Sequence, residues 1–187
     1  TGFWRLGKIS AAHYLGVLPD IACYGKQLTG GLLPLSVTLA SEEIFHGFLS
    51  DKLSKALLHG HSFTAHPQGC CVANEAIDFY QNSPLLNKAT NTLFEMWPQE
   101  VVNKISDLKT VAKVVCLGTL LSIEIKDEQP GYLSMASQDI IKQLNSDGFF
   151  VRPLGNTIYF LANFSSDTKK LREYSLKIYS LLNDFFK

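Results

Sequence analysis

An α/β fold in two parts is predicted, and three observations predict it. In the first half, short apolar segments rich in β-branched residues alternate with segments whose small and apolar residues recur at helical spacing, with glycine and proline between them. In the second half, strand-like and helix-like segments follow one another as an α+β module of about 100 residues, an ordinary size for a separate domain. The composition supplies a core for both: 46% apolar and 18% charged among 187 residues, with a formal net charge of zero.

The elements follow in order. Ser10 to Gly16 predicts a short helix, Pro19-Asp20 ends the connection, and the apolar run Ile21 to Tyr24 reads as a short buried strand. Leu33 to Ala40, LPLSVTLA, is a second strand. Ser41-Glu42-Glu43 opens a helix, because the serine hydroxyl can cap free N–H groups and acids in the first turn oppose the helix dipole favourably. PQGCCVANEAIDFY, from Pro67 to Tyr80, predicts a closely packed helix that Asn82-Ser83-Pro84 ends, so the boundary between the two parts is placed at 84/85. Leu85 to Ile105 predicts a further helix disturbed at Pro98. Val111 to Val115 and Leu117 to Ile125 form a strand pair around Gly118, and Ser137 to Leu144 is amphipathic. Phe149 to Arg152 and Thr157 to Ala162 are strands flanking Leu154-Gly155-Asn156, and Asp167 to Phe186 closes as an amphipathic helix.

Several function classes drop out. Balanced charge gives no basic footprint for nucleic acid. No apolar run reaches the roughly 20 residues of a membrane span. Four cysteines, two of them adjacent at Cys70-Cys71, do not form the evenly spaced framework of a secreted disulfide scaffold, so a soluble protein of a reducing, intracellular compartment is expected. TGFWRLGK at the start already has the character of a fold interior, and the chain is expected to be a piece of a longer one.

The chemistry-bearing residues fall in three clusters. In DIACYGKQLTGG a strand delivers Lys26 into a glycine-rich loop. A desolvated lysine loses its preference for the charged form and becomes a nucleophile for carbonyl compounds, whereas the plain alternative is a surface lysine in a loop. In LLHGHSFTAHPQGCC, three histidines (His59, His61, His66) and two cysteines raise a zinc site, but their spacing lacks the two separated ligand pairs of zinc motifs. A phosphate-contacting loop using Gly60 and the Ser62 hydroxyl is physically easier. In FFVRPLGNTIYF, Arg152 sits in an apolar strand, where its planar fork suits a substrate carboxylate or a structural acid. Tyr159 is a core aromatic or a second group of the same site. Arg5 and Asp20 read as a fold-stabilising residue and a turn residue.

Taken in order, TGFWRLGK, PDIACYGKQLTGG, LLHGHSFTAHPQGC and VRPLGNTIYF, the whole chain resembles the class III pyridoxal-phosphate aminotransferases. TGFWRLG, HGHS-x-x-AH and RPLGN-x-IY are most similar to the plant and fungal branch that aminates 8-amino-7-oxononanoate with S-adenosylmethionine in biotin synthesis. The resemblance implies a fold type I structure, with residues 1–84 the C-terminal part of the large cofactor-binding domain and 85–187 the small C-terminal domain. It implies pyridoxal 5'-phosphate as cofactor, joined to Lys26 as a Schiff base, and a homodimer in which Gly60 and Ser62 reach the cofactor phosphate of the neighbouring subunit. It implies that Arg152 holds the oxo-acid carboxylate, that Tyr159 lines that pocket, and that no metal takes part. The plant and fungal likeness implies a mitochondrial protein, a different branch a cytoplasmic one. Many members have threonine at Ser62 and Gly-Asn-Pro at Ala65-His66-Pro67. The family's aspartate for the pyridine nitrogen precedes the TGF block, so these 187 residues alone are expected to lack transaminase activity. Another class III omega-aminotransferase and a non-catalytic dimerisation fragment are the alternatives.

Overall fold

The computed structural model describes residues 3–87, 89, 92–93 and 95–185. It divides into two compact units, Thr1–Thr92 and Leu93–Lys187.

The first unit starts with a tight turn in which the fully buried Trp4 donates its backbone N–H to the Ile9 carbonyl at 3.2 Å. A one-turn helix α1 (Ala12–Leu15) leads to β1 (Ile21–Tyr24), which pairs antiparallel with β2 (Val37–Ala40) in the register Ile21↔Ala40 to Tyr24↔Val37. β1 was expected to be buried, and it is not: it alternates exposed and half-buried, with Ile21 55% exposed. Among the described residues its sheet has two strands only, so no further strand flanks the pair. Ser41 caps α2 (Glu42–Phe48) by accepting the Ile44 N–H on its hydroxyl at 3.4 Å, with Glu42 and Glu43 in the first turn as their charge favours. α3 (Pro67–Gln81) begins with proline at its first position, where no N–H is missed, and ends at Asn82.

The predicted helix over Leu85 to Ile105 is not formed as such. Extended pieces β3 (Leu86–Asn87) and β4 (Thr92–Leu93) come first, and α4 (Gln99–Ser106) starts only after Pro98. Proline disfavours the α conformation of the preceding Trp97, so it acts as a start signal instead of a kink. Residues 88, 90, 91 and 94 of that expectation lie outside the described residues, as do residues 1, 2, 186 and 187.

The second unit is a four-stranded antiparallel sheet in the order β5 (Val111–Leu117), β6 (Leu120–Ile125), β8 (Thr157–Leu161), β7 (Pro153–Leu154). The hairpin turns at Gly118-Thr119, as the sequence predicts, and an irregularity at Val111/Lys113 shifts its register. Along β6 and β8, Leu121, Ile123, Ile125, Ile158 and Phe160 point to one buried face. That period of two matches helical stripes on α4 (Val101, Val102, Ile105), α5 (Gln138–Ser146; Ile140, Ile141, Leu144) and α6 (Thr168–Phe185; Leu171, Ile178, Leu182). Residues 149–152 do not form the predicted strand. Phe149 donates its N–H to the Leu144 carbonyl at 3.0 Å and Val151 to Asn145 Oδ1 at 2.9 Å, so these donors close the end of α5 instead of extending the sheet.

Candidate active site

Lys26 opens a 3-10 turn, Lys26–Thr29, directly after β1. Its backbone lies in the left-handed region at φ 53°, which costs a residue with a Cβ about 1–2 kcal/mol. Strain of this kind persists only where the surroundings over-determine it, and it gathers at functional sites. Here the surroundings are identifiable. Leu28 and Thr29 are buried, and Thr29 Oγ1 donates to the Leu33 carbonyl at 2.6 Å. The single phenol proton of Tyr80, on α3, faces the Gln27 backbone carbonyl at 2.8 Å and its side-chain carbonyl at 3.0 Å. Burial pushes the Tyr80 phenol above its ordinary range while the nearby Arg5 charge pulls it down, so the group stays a donor at neutral pH. Arg5 thus acts on the anchor of the lysine loop, and Asp20 serves the turn before β1, its carbonyl accepting the Ser41 N–H at 2.7 Å.

The Lys26 side chain itself is exposed. The turn is fixed from below, through Leu28, Thr29 and Tyr80, and the amine stands on the open side. It lines a cavity of about 1020 Å³ together with Gly60, His59, His61, His66 and the Leu33–Ser36 segment. The wall opposite the lysine is the stretch 59–66, which is stitched by short-range bonds. His61 donates its N–H to Thr64 Oγ1 at 2.9 Å and accepts the Phe63 N–H on Nδ1 at 3.0 Å. His66 Nδ1 accepts the Gly69 N–H at 3.1 Å and so caps α3. A Cβ at Gly69 would stand 2.9 Å from that nitrogen, which is why the third helical position is glycine. Ser62 is exposed in the turn and is not part of the cavity lining. Among the described residues no group of three His, Cys, Asp or Glu side chains is placed to hold a metal ion.

Arg152 and Tyr159 come together in the second unit, around a cavity of about 640 Å³ walled by Phe149, Phe150, Phe160 and Tyr174, with Lys177 at its edge. Arg152 is exposed in the segment before β7, its guanidinium carbon 5.7 Å from the centre of the Phe150 ring. Lys177 is engaged by the Asp147 carbonyl at 2.8 Å. The Gly155-Asn156 turn that sets β8, and with it Tyr159, is held from within. The buried Asn156 donates to the Ile125 carbonyl at 2.8 Å and accepts the Gly131 N–H at 3.1 Å, and Ser137 Oγ donates to the Gly155 carbonyl at 2.6 Å. Half of the RPLGN motif is therefore scaffold. Local sequence signals did not reveal Tyr80, which lies 53 residues from its partner Gln27, or the aromatic lining of this cavity.

Comparison with known proteins decides the family. The family model "Aminotransferase class-III" matches residues 1–182. The chain belongs to the class III aminotransferases. This class III chain is 42% identical, over 99% of its length, to the mitochondrial bifunctional dethiobiotin synthetase/7,8-diamino-pelargonic acid aminotransferase of Arabidopsis thaliana, of which it spans 23%. It is 49% identical over 86% of its length to the protein of the same name from Oryza sativa, of which it spans 20%. The crystal structure of adenosylmethionine-8-amino-7-oxononanoate aminotransferase from Methanocaldococcus jannaschii superposes with a TM-score of 0.79 at 28% identity, covering 97% of this chain and 43% of that one. This match gives the fold type I architecture of pyridoxal-phosphate aminotransferases over part of its extent. The class III family uses pyridoxal phosphate. Among the described residues no helix is long and apolar enough to cross a membrane.

Proposed function

We propose that the whole protein containing this chain transfers the amino group of S-adenosylmethionine to 8-amino-7-oxononanoate, giving 7,8-diaminononanoate in biotin synthesis, with pyridoxal phosphate held at Lys26. The observation that carries the reading is the 42% identity along 99% of the chain to a plant aminotransferase named for that product. The donor set of the first cavity fits the cofactor: a strained, anchored lysine opposite a glycine- and imidazole-bearing loop, in a space large enough for a pyridine ring and its phosphate.

When bound, pyridoxal phosphate supplies an aldehyde for amines and a protonated ring that accepts the electron pair left when a Cα–H bond breaks. Lys26 would hold it covalently through Nζ, then take the proton from the substrate Cα and return it. Because Lys26 is exposed, the water exclusion that an uncharged amine needs comes from the ligand seated over it. Gly60 and Ser62 contact the phosphate, and the exposed Ser62 reaches across to a second copy, so each site of a homodimer is completed by its partner. Arg152 pairs with the oxo-acid carboxylate through its planar fork, and Tyr159 lines the same pocket against the substrate's apolar chain. Residues 1–84 belong to the large cofactor-binding domain and 85–187 to the small one. The many exposed apolar side chains of the first unit, Leu15, Leu18 and Leu58 each at least 75% exposed, fit a face that packs on the rest of the large domain. Mitochondria are the proposed location, as for the plant relatives.

The test uses the full-length protein. Addition of S-adenosylmethionine to the pyridoxal form is expected to bleach the absorbance of the lysine-bound cofactor, and borohydride reduction with peptide mapping to find the pyridoxyl tag on Lys26. Absence of bleaching removes the named amino donor in favour of another class III reaction. A tag on a different residue removes the site.

A further inference from the structure

The backbone that carries Arg152 leaves α5 through a short exit, and a side chain from α6 holds the start of it. Gly148 turns the chain in the left-handed region at φ 89°, and the Phe149 N–H returns to the Leu144 carbonyl at 3.0 Å, which closes the helix as a Schellman end. The last carbonyls of a helix have no intrahelical donor, and that of Asp147 is one of them. Lys177 supplies it: Nζ donates to the Asp147 carbonyl at 2.8 Å, stands 3.4 Å from the Asp147 carboxylate and lies 5.6 Å from the centre of the Phe149 ring. Each of these contacts falls on the exit. Further along, the buried Val151 donates its N–H to Asn145 Oδ1 at 2.9 Å, so residues 150 and 152 on either side of it both face outward, and the Arg152 guanidinium rests against the Phe150 ring. Among the described residues no acid pairs with Arg152. An arginine without an ion pair is aimed by the backbone beneath it.

We propose, resting on the reading that Arg152 holds the oxo-acid carboxylate, that Lys177 is a positioning residue for Arg152: from α6 it fixes the end of α5 and so aims the guanidinium into the cavity that both residues line. The ammonium is committed to the Asp147 carbonyl and the Phe149 face, so it acts on the substrate through the arginine. Its worth to the fold is small, because the lysine side chain is 47% exposed and exposed ion pairs add little to stability. Its effect is on direction, and direction decides whether a planar fork meets a carboxylate with both of its N–H groups.

Three variants of the full-length protein separate this role from a merely structural one, each read by steady-state kinetics with the amino donor saturating. Lys177→Met keeps the apolar stem on α6 and removes both the donor and the charge, and it is expected to raise KM for the oxo acid about three- to five-fold with kcat kept, the size of one charge-assisted bond at an exposed site. Lys177→Arg retains a cationic donor and is expected to restore KM. On an Arg152→Lys background, Lys177→Met is expected to raise KM no further, because the fork that it aims is gone. An unchanged KM in Lys177→Met overturns the proposal while Arg152 keeps its place, and so does a Lys177→Arg protein as impaired as the Met variant. A full rise in KM on the Arg152→Lys background also overturns it, since Lys177 would then act on the ligand directly. If Arg152→Lys alone leaves KM unchanged, the Arg152 reading falls and this proposal with it.

Discussion

Removing one oxygen from α3 should loosen the lysine loop 53 residues away. Tyr80 is 3% exposed, and its hydroxyl is the donor for the Gln27 carbonyl at the centre of the Lys26–Thr29 turn. In Tyr80→Phe that acceptor loses one of its two donors and keeps only the Gly30 N–H, at a cost of about 1–2 kcal/mol for a partly buried group. This is the same size as the roughly 1–2 kcal/mol of backbone strain at Lys26, φ 53°, so the lock and the load are closely matched. Loss of the lock leaves Leu28 and Thr29 as the remaining anchors. The assay is hydrogen exchange at the Leu28 and Gly30 amides, which close the turn by donating to the Gly25 carbonyl at 3.2 Å and the Gln27 carbonyl at 3.1 Å. Exchange at both should speed about 5- to 30-fold, the conversion of 1–2 kcal/mol into an opening constant, with amides in the middle of α3 unchanged. Alkali should act in the same way. Burial raises the folded phenol, so the stability it contributes is complete below the ordinary tyrosine range near pH 10. That stability falls as pH climbs from there toward the raised value, because the unfolded chain ionises first. Tyr80→Phe should lack this alkaline decline. Equal exchange at Leu28 and Gly30 in both proteins would refute the anchoring.

Three further outcomes are expected. Gly155→Ala should cost about 3 kcal/mol or more, read as a lowered melting temperature, because its φ of 62° is left-handed and a Cβ there would overlap the Gly131 carbonyl. Cys116 should alkylate far more slowly at pH 8 than the exposed Cys23, Cys70 and Cys71: burial, and then the Glu95 carboxylate 3.6 Å away, push its thiol up to about 12. Glu95→Gln should speed its reaction, as mass spectrometry of the labelled peptides will show. Arg152→Lys in the full-length protein should raise KM for the oxo acid about ten- to a hundred-fold with kcat largely kept, because an ammonium cannot form the paired bonds of the fork. Steady-state kinetics with the amino donor saturating checks it.

What the sequence makes legible here is local, and what it hides is long-range. The Ser41 cap, the proline start of α3, the hairpin at Gly118 and the amphipathic α5 each follow from a few adjacent residues, and the structure has them. The helix expected through Leu85 to Ile105 fails because periodicity counts apolar positions and is blind to the conformation that Pro98 imposes on Trp97. The strand expected at Phe149 to Arg152 fails for a different reason: its β-rich wording is genuine, but the Phe149 and Val151 donors are claimed by the end of α5.

The site divides along the same line. Lys26, Gly60, Arg152 and Tyr159 stand out as residue types in unusual company, and the structure brings the first two to one cavity and the last two to another. Their supports are silent in the sequence, because Tyr80 and Asn156 act through partners 53 and 31 residues away. A lysine presented on the open side of a turn can be exposed and still fixed in direction, provided the anchoring groups lie beneath it. The aminotransferase reading therefore depends on Tyr80 and Thr29 nearly as much as on the amine they aim. A screen that varied only the residues facing the cavities would miss half of what makes them sites.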